Sequence, residues 1–217
     1  MMKNSTINRA GRLACVFLLS IAAFTANAEK VRVQLDTSSL AGSAYLDLQF
    51  NPGAGTTPAA SAALSGFSGT LAGAAEVIGD VRGALPGTVT FINSSPYNDL
   101  FQPVRLGGLF SFLMDFTGDF RAAGFDSGSV FAVSMYGADQ MTILGNADPL
   151  TGALVSINLT PASLAGQGSI AFNVNDPTLA SASLTPTQVP EPASLLLMLV
   201  GGAAFMVATG RQHVNVS

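Results

Sequence analysis

Apolar and polar residues alternate with a period of two along most of the chain. "VRVQLD" sets Val31, Val33 and Leu35 on one side, and "YLDLQF" does the same with Leu46, Leu48 and Phe50. "GTVTFI" repeats the pattern with Val89 and Phe91, and "LFSFLMDF" alternates Phe110, Phe112, Met114 and Phe116 against Leu109, Ser111, Leu113 and Asp115. "SVFAVSMY", "MTILG", "ALVSINLT" and "SIAFNV" follow. Successive side chains of a strand point to opposite faces, so each stretch predicts a β-strand with one face buried. Between them, "NPGAG" at Asn51, "LPG" at Leu85, "NSSPYND" at Asn93 and "NADPLTG" at Asn146 supply the residues of turns. One segment reads differently. "TTPAASAALSGF", Thr56 to Phe67, predicts a short helix with Thr57 as its cap and Pro58 at the first helical position. "TLASASLTPTQ", Thr178 to Gln188, predicts a last strand running into a polar linker.

Eight or nine short strands without strand–helix–strand alternation predict an all-β fold. The expected architecture is a single antiparallel β-sandwich, jelly-roll-like, over residues 29–185. An outer-membrane barrel needs strands of about ten residues and aromatic girdles. This chain has no Trp and three Tyr, which argues against one. No fixed-period repeat of the propeller or solenoid kind is present.

The two ends break the alternation. Lys3, Arg9 and Arg12 precede the apolar run "LACVFLLSIAAF", and "TANAEK" follows it. A basic start, a run of about a dozen apolar residues and a small-x-small site describe a secretory signal peptide. Ala26 and Ala28 fit the cleavage site, so residues 1–28 are expected to be removed by signal peptidase after passage through the Sec translocon. At the other end, Ala193 to Gly210 is apolar or small throughout. As a helix it would span about 27 Å, enough for one crossing of a thin bilayer. Arg211 follows it, and the positive-inside tendency places that residue on the cytoplasmic side. Pro190 and Pro192 keep the approach extended and present Glu191 just outside the membrane.

A signal peptide, a β-rich middle, Val189-Pro190-Glu191-Pro192, an apolar helix containing "VGGAA" and a basic end resemble a PEP-CTERM protein. The match covers residues 189–217, within a sorting segment we place at 186–217. The tail carries the single Arg211 with His213 where the family usually has a cluster of arginines. "AGSAYLDLQFNPG" and "NDLFQ" resemble an uncharacterised subgroup of the same proteins. The resemblance implies a substrate of exosortase, a membrane transpeptidase of exopolysaccharide-producing Gram-negative bacteria. It also implies export across the inner membrane, transient anchoring by the C-terminal helix, and a final place at the cell surface or in the extracellular matrix.

Composition narrows the chemistry of the middle. The only Cys is Cys15, inside the leader, and the only His is His213, beyond the apolar tail. The exported domain therefore lacks a disulfide, a thiolate and an imidazole, which removes Ser-His-Asp and Cys-His machinery and nearly every zinc site. Between residues 29 and 188, five basic residues face twelve acids, for a net charge of −7. That balance argues against nucleic acid, whose binding relies on Lys and Arg. For an enzyme only a carboxylate pair of the glycosidase type remains, with Glu76 and Asp80 in "GAAEVIGDVRG" as the candidates. A solvated loop or edge charge is the simpler reading of Glu76, so we expect no catalysis and assign no catalytic residue. Asp115, Asp119 and Asp126 in "MDFTGDFRAAGFDSGS", and Asn173, Asn175 and Asp176 in "NVNDP", offer oxygen ligands of the kind calcium takes. Neither has the EF-hand spacing, and Asp and Asn are ordinary turn residues. We expect no cofactor and assign no metal ligand, with calcium the single candidate ion. Tyr45, Tyr97 and Tyr136 are the candidate platforms for sugar, each equally suited to a sheet surface. "NSS" at Asn93 and "NLT" at Asn158 match the N-glycosylation pattern and are read as chance in a bacterial chain. The expected function is that of a structural or binding module associated with exopolysaccharide or biofilm. A carbohydrate-binding module or a glycoside-active enzyme of the envelope is the alternative.

Overall fold

The alternating stretches fold as strands, and every strand-to-strand pairing is antiparallel. The computed structural model describes residues 30–162 and 167–185. In chain order the strands are β1 (Lys30–Asp36), β2 (Ser43–Pro52), β3 (Ala60–Ser68), β4 (Thr70–Leu71), β5 (Glu76–Ile78), β6 (Val81–Gly83) and β7 (Val89–Ile92). Then come β8 (Asp99–Arg105), β9 (Leu109–Gly118), β10 (Ser129–Gly137), β11 (Val155–Thr160), β12 (Ser169–Val174) and β13 (Ala180–Thr185). One sheet, A, has the order β13-β1-β9-β3-β7-β6. The other, B, has the order β12-β11-β10-β2-β8-β4, with β5 also pairing to β8. The expected signal peptide with Ala26 and Ala28 at its cleavage site, the motif Val189 to Pro192, the apolar tail and Arg211 lie outside the described residues. Among the described residues no helix is long and apolar enough to cross a membrane.

One hydrophobic core joins the two sheets. Val31, Val33, Leu35, Phe110, Phe112, Met114 and Phe116 face inward from sheet A. Leu46, Leu48, Phe50, Phe131, Val133 and Ile157 meet them from sheet B. Phe131 of β10 packs edge-on against Phe91 of β7 at 5.5 Å and Phe116 of β9 at 6.4 Å between ring centroids, so aromatic rings interlock across the two layers. Each buried side chain of this size contributes roughly 1.5–3 kcal/mol relative to exposure. The pairings β1–β9, β2–β8 and β3–β7 nest inside one another, so the chain alternates between layers as it winds inward and then returns.

The expected helix over Thr56–Phe67 is a strand. β3 lies between β9 and β7, with Ala60, Ala62 and Leu64 buried and Ser61, Ala63 and Ser65 facing outward. Alanine favours helix intrinsically, but a period-two set of small apolar residues between two partner strands gains more from the sheet than a single helical turn gains alone. Asn93 locks the entry to β3: its side-chain carbonyl accepts from the Ala60 N–H at 2.9 Å, and its amide donates to Pro58 O and Ser129 Oγ at 2.8 Å. "MTILG" also departs from expectation. It is a loop joined to β10 through the single bridge Tyr136–Ile143.

The strand that turn residues concealed is β8, which contains Pro103. A residue's N–H and C=O point to the same side of a strand, and Pro103 O accepts from Ala72 N at 2.9 Å. The missing N–H therefore faces the gap between β5, paired to residues 99–101, and β4, paired to residues 104–105. Proline costs the sheet no ladder hydrogen bond there.

Candidate functional site on the outer face of sheet B

The two outer faces of the protein differ in what alternation places on them. On sheet B, β2 turns Tyr45, Asp47, Gln49 and Asn51 outward, opposite its buried set Leu46, Leu48 and Phe50. β8 adds Asp99, Phe101 and Pro103, and β10 adds Ser134 and Tyr136. Register then fixes the neighbours. Tyr45 stands opposite Tyr136 on one side and Pro103 on the other; Asp47 stands between Ser134 and Phe101.

The rings make a layer. Tyr45 and Phe101 stack with centroids 4.7 Å apart and planes 9° from parallel. Phe101 meets Tyr136 at 5.9 Å. Tyr97, just before β8, is 41% exposed and has the most open ring of the group. Its loop is pinned by the fully buried Asn98. The Asn98 side chain donates to Phe50 O and Ser95 O and accepts from the Asp80 N–H at 2.8 Å. Gly79 makes this approach possible: with φ +77°, it brings the chain so close to the Tyr97 carbonyl that a Cβ would collide with it. The same loop, through residues 93–96, lines a cleft of about 340 Å³ with Pro52, Gly53, Gly55 and Thr57.

Beneath the rings lie two acids. Asp47 and Asp99 are 3% and 6% exposed. Their strands are adjacent and their positions diagonal, since Asp47 faces Phe101 and Asp99 faces Gln49. Diagonal neighbours on adjacent antiparallel strands are within reach of each other's side chains, and the two carboxyls approach within hydrogen-bonding reach. A relay runs along β2 toward them. Asn51 donates to the Gln49 side chain at 3.2 Å, and Gln49 donates to Asp47 Oδ2 at 2.9 Å. Asp47 Oδ1 and Asp99 Oδ1 are buried without a hydrogen-bond partner. Burial, reinforced by the Asp99 carboxyl alongside, pushes Asp47 up to about 8. Burial also raises Asp99; hydrogen bonds with the Asp47 carboxyl and the Tyr97 hydroxyl pull the other way, and the charge of Glu76 on β5 adds to the rise. Burial, with the two acids below, pushes the Tyr97 hydroxyl up to about 12 and raises that of Tyr136.

Of the three tyrosines expected as sugar platforms, Tyr45 and Tyr136 thus meet through Phe101, and the Tyr97 hydroxyl reaches the same face at Asp99. The other candidates do not converge. Glu76 is exposed on β5 and faces Asp99's strand, while Asp80 turns to Arg82 at 3.2 Å and accepts from Ser94 Oγ at 2.8 Å. Asp115 projects from sheet A beside Lys30. Asp126 holds the loop at residue 56, accepting from the Thr56 N–H at 2.9 Å and its hydroxyl at 2.7 Å, and these bonds hold its carboxyl below the usual range. Asp176 accepts from the N–H groups of Asn146, Thr178 and Leu179, with Asn146 foremost among the causes of its lowered pKa. Asn175 binds Ala153 O, and Asn173 projects outward from β12. Among the described residues no three acids meet as a metal centre would require. The Asn93 amide of the "NSS" triplet is engaged inside the protein.

No protein-family model, curated protein or solved structure matches the chain.

Sequence reasoning missed Asp47 and Asp99. The available signal was an acid in the middle of a strand pattern, "YLDLQF", where acids are depleted. Asp99 sat among turn residues in "NSSPYND", which concealed its place on a strand.

Proposed function

We propose that this chain is an exported surface or matrix protein, sorted by exosortase through Val189-Pro190-Glu191-Pro192 and Arg211, whose β domain binds polysaccharide. The observation that carries the binding reading is the pairing of Tyr45 with Tyr136 on one sheet face, with Tyr97 reaching Asp99 of that face and Gln49 and Asn51 beside them. Aromatic rings supply apolar faces for sugar rings, and side-chain amides supply donors and acceptors for hydroxyls. Tyr97 is the stacking platform in this reading, because Tyr45 and Phe101 cover each other. The nested pairing of β1–β9, β2–β8 and β3–β7 supports a jelly-roll-like sandwich as the scaffold.

We read the face as non-catalytic. Retaining glycosidases hold their two carboxyls about 5–5.5 Å apart and open to the substrate. Asp47 and Asp99 are nearer than that and lie under the rings. The test is a pull-down of the secreted protein on exopolysaccharide from a host that sorts it. Tyr97→Ala is expected to weaken retention about tenfold with the fold intact, the scale of one lost aromatic contact. Equal retention of the variant and the parent removes Tyr97 from the site. Mass spectrometry of the mature C-terminus tests the sorting half separately, with a new end near residues 189–192 expected.

A further inference from the structure

We infer that Asp47 and Asp99 hold a single proton between them and act as a pH-responsive latch beneath the aromatic layer of sheet B. An ionised carboxylate only accepts hydrogen bonds. Two ionised carboxylates facing each other would leave both Oδ1 atoms unpaired in a buried place, which is the unsatisfied state in which these two atoms stand. One proton turns one acid into a donor and satisfies both oxygens together. The alternative way to stabilise buried anions is a cation. The titratable groups facing the pair are Glu76 from β5, Tyr97 from the loop before β8, whose hydroxyl donates to Asp99, and Tyr136 from β10, and none of the three is a cation. Arg82, the nearest cation in sequence to β5, is paired with Asp80.

Removing the shared proton leaves two like charges in contact in a poorly solvated site, and such pairs titrate as a unit. The repulsion acts between β2 and β8, the strands spanned by the Tyr45–Phe101 stack. β8 also carries β5, a three-residue edge strand whose side chains are all exposed. The ring layer and β5 are therefore the parts that loosen as the pH rises through about 8, whatever the face binds.

Infrared spectroscopy of the full-length protein tests this without any ligand. At pH 6, where ordinary carboxyls are ionised, we expect the carbonyl stretch of one protonated carboxylic acid, lost by pH 10. Asp47→Asn and Asp99→Asn should each remove that band. Absence of the band in the parent protein at pH 6, or its survival in both variants, overturns the inference. Near-UV circular dichroism reads the latch itself. The tyrosine signal of the parent should fall by about half or more between pH 7 and 9, while Asp47→Asn, whose amide donates as the protonated acid does, should keep it. An identical pH profile in parent and variant overturns the latch. Should Asp47→Asn fail to fold, Asp99→Asn serves the same comparison, and the band in the parent needs neither. Glycan retention plays no part in these readouts, so failure of the binding reading leaves them unchanged.

Discussion

The outer faces of sheets A and B start from the same strand alternation and end with opposite electrostatic solutions. On sheet A, the acid Asp115 stands directly across the β1–β9 pair from Lys30, with Nζ 3.8 Å from Oδ2. Around it the face mixes polar and apolar side chains, with Ser61 and Thr117 sharing a hydroxyl bond at 2.8 Å and Leu113 next to Asp115 along β9. On sheet B, the acid Asp47 has Asp99 for a partner and aromatic rings for a cover. An opposite charge across a strand pair offsets the cost of partial burial, whereas a like charge adds to it. Sheet A thus uses its acid as part of an ordinary surface. Sheet B keeps an arrangement that costs stability, and such local costs concentrate at functional sites.

The largest effect that would break this contrast is the pH dependence of stability. Asp47 is near its ordinary carboxyl range of about 3.9 in the unfolded chain and is pushed up to about 8 in the fold. The folded state then holds the extra proton between those values, so stability falls as pH rises. The benefit is complete below about pH 4 and lost on passing about pH 8. Chemical denaturation at pH 5 and pH 9 should differ by a few kcal/mol, with greater stability at the lower pH, an order of magnitude set by 1.36 kcal/mol per unit. Asp47→Asn should flatten most of that slope and raise stability at pH 9. A parent protein equally stable at both values would make the two faces equivalent.

A second, smaller comparison sets one glycine near each face. Gly79 and Gly66 both have positive φ, +77° and +61°. A side chain at Gly79 collides with the Tyr97 carbonyl and approaches Asn98, while Gly66, at the irregular register of β3 and β9, has open space around it. Gly66→Ala should cost only the left-handed backbone term, about 1 kcal/mol. Gly79→Ala adds displacement of the loop carrying Tyr97, for about 2–3 kcal/mol in all. It should also weaken any ligand bound at that ring. Thermal unfolding of the two variants gives the ranking, and equal losses would mean that the Tyr97 loop yields freely.

Which parts of this contrast were legible in the chain follows from what alternation encodes. Period two assigns each side chain to a face, so β1, β2, β7 and β9 could be read with their core residues and β10, β11 and β12 as strands, and the last strand expected in "TLASASLTPTQ" is β13. It does not say which strand lies alongside. Asp47 was visibly outward in "YLDLQF", but its meeting with Asp99 depends on the β2–β8 register, set by a return of some fifty residues. The tyrosines could be named as candidates but not gathered, for the same reason. β3 was lost because Ala and Ser carry weak strand signals, and β8 because Pro103 and its neighbours look like a turn until the gap beside it is known. The two- and three-residue strands β4, β5 and β6 have too few positions to show a period at all.

The smallest effect tests sheet A. Lys30 and Asp115 are 36% and 30% exposed as side chains, and 3.8 Å is long for an ion pair. Exposed pairs of this kind contribute about 0–1 kcal/mol, because water screens the attraction and two long side chains lose freedom. One feature pulls the other way: Asp115 Oδ1 is buried without a partner, so removing the lysine charge leaves part of the carboxylate poorly compensated. Lys30→Ala should therefore cost more than Asp115→Ala, though both remain below about 1 kcal/mol. A double-mutant cycle should give a coupling of about 0.5 kcal/mol that fades in high salt. A coupling several times larger would mean that Asp115 depends on its cation as strongly as Asp47 depends on its shared proton. Sheet A would then be a second strained face rather than the plain counterpart of the first.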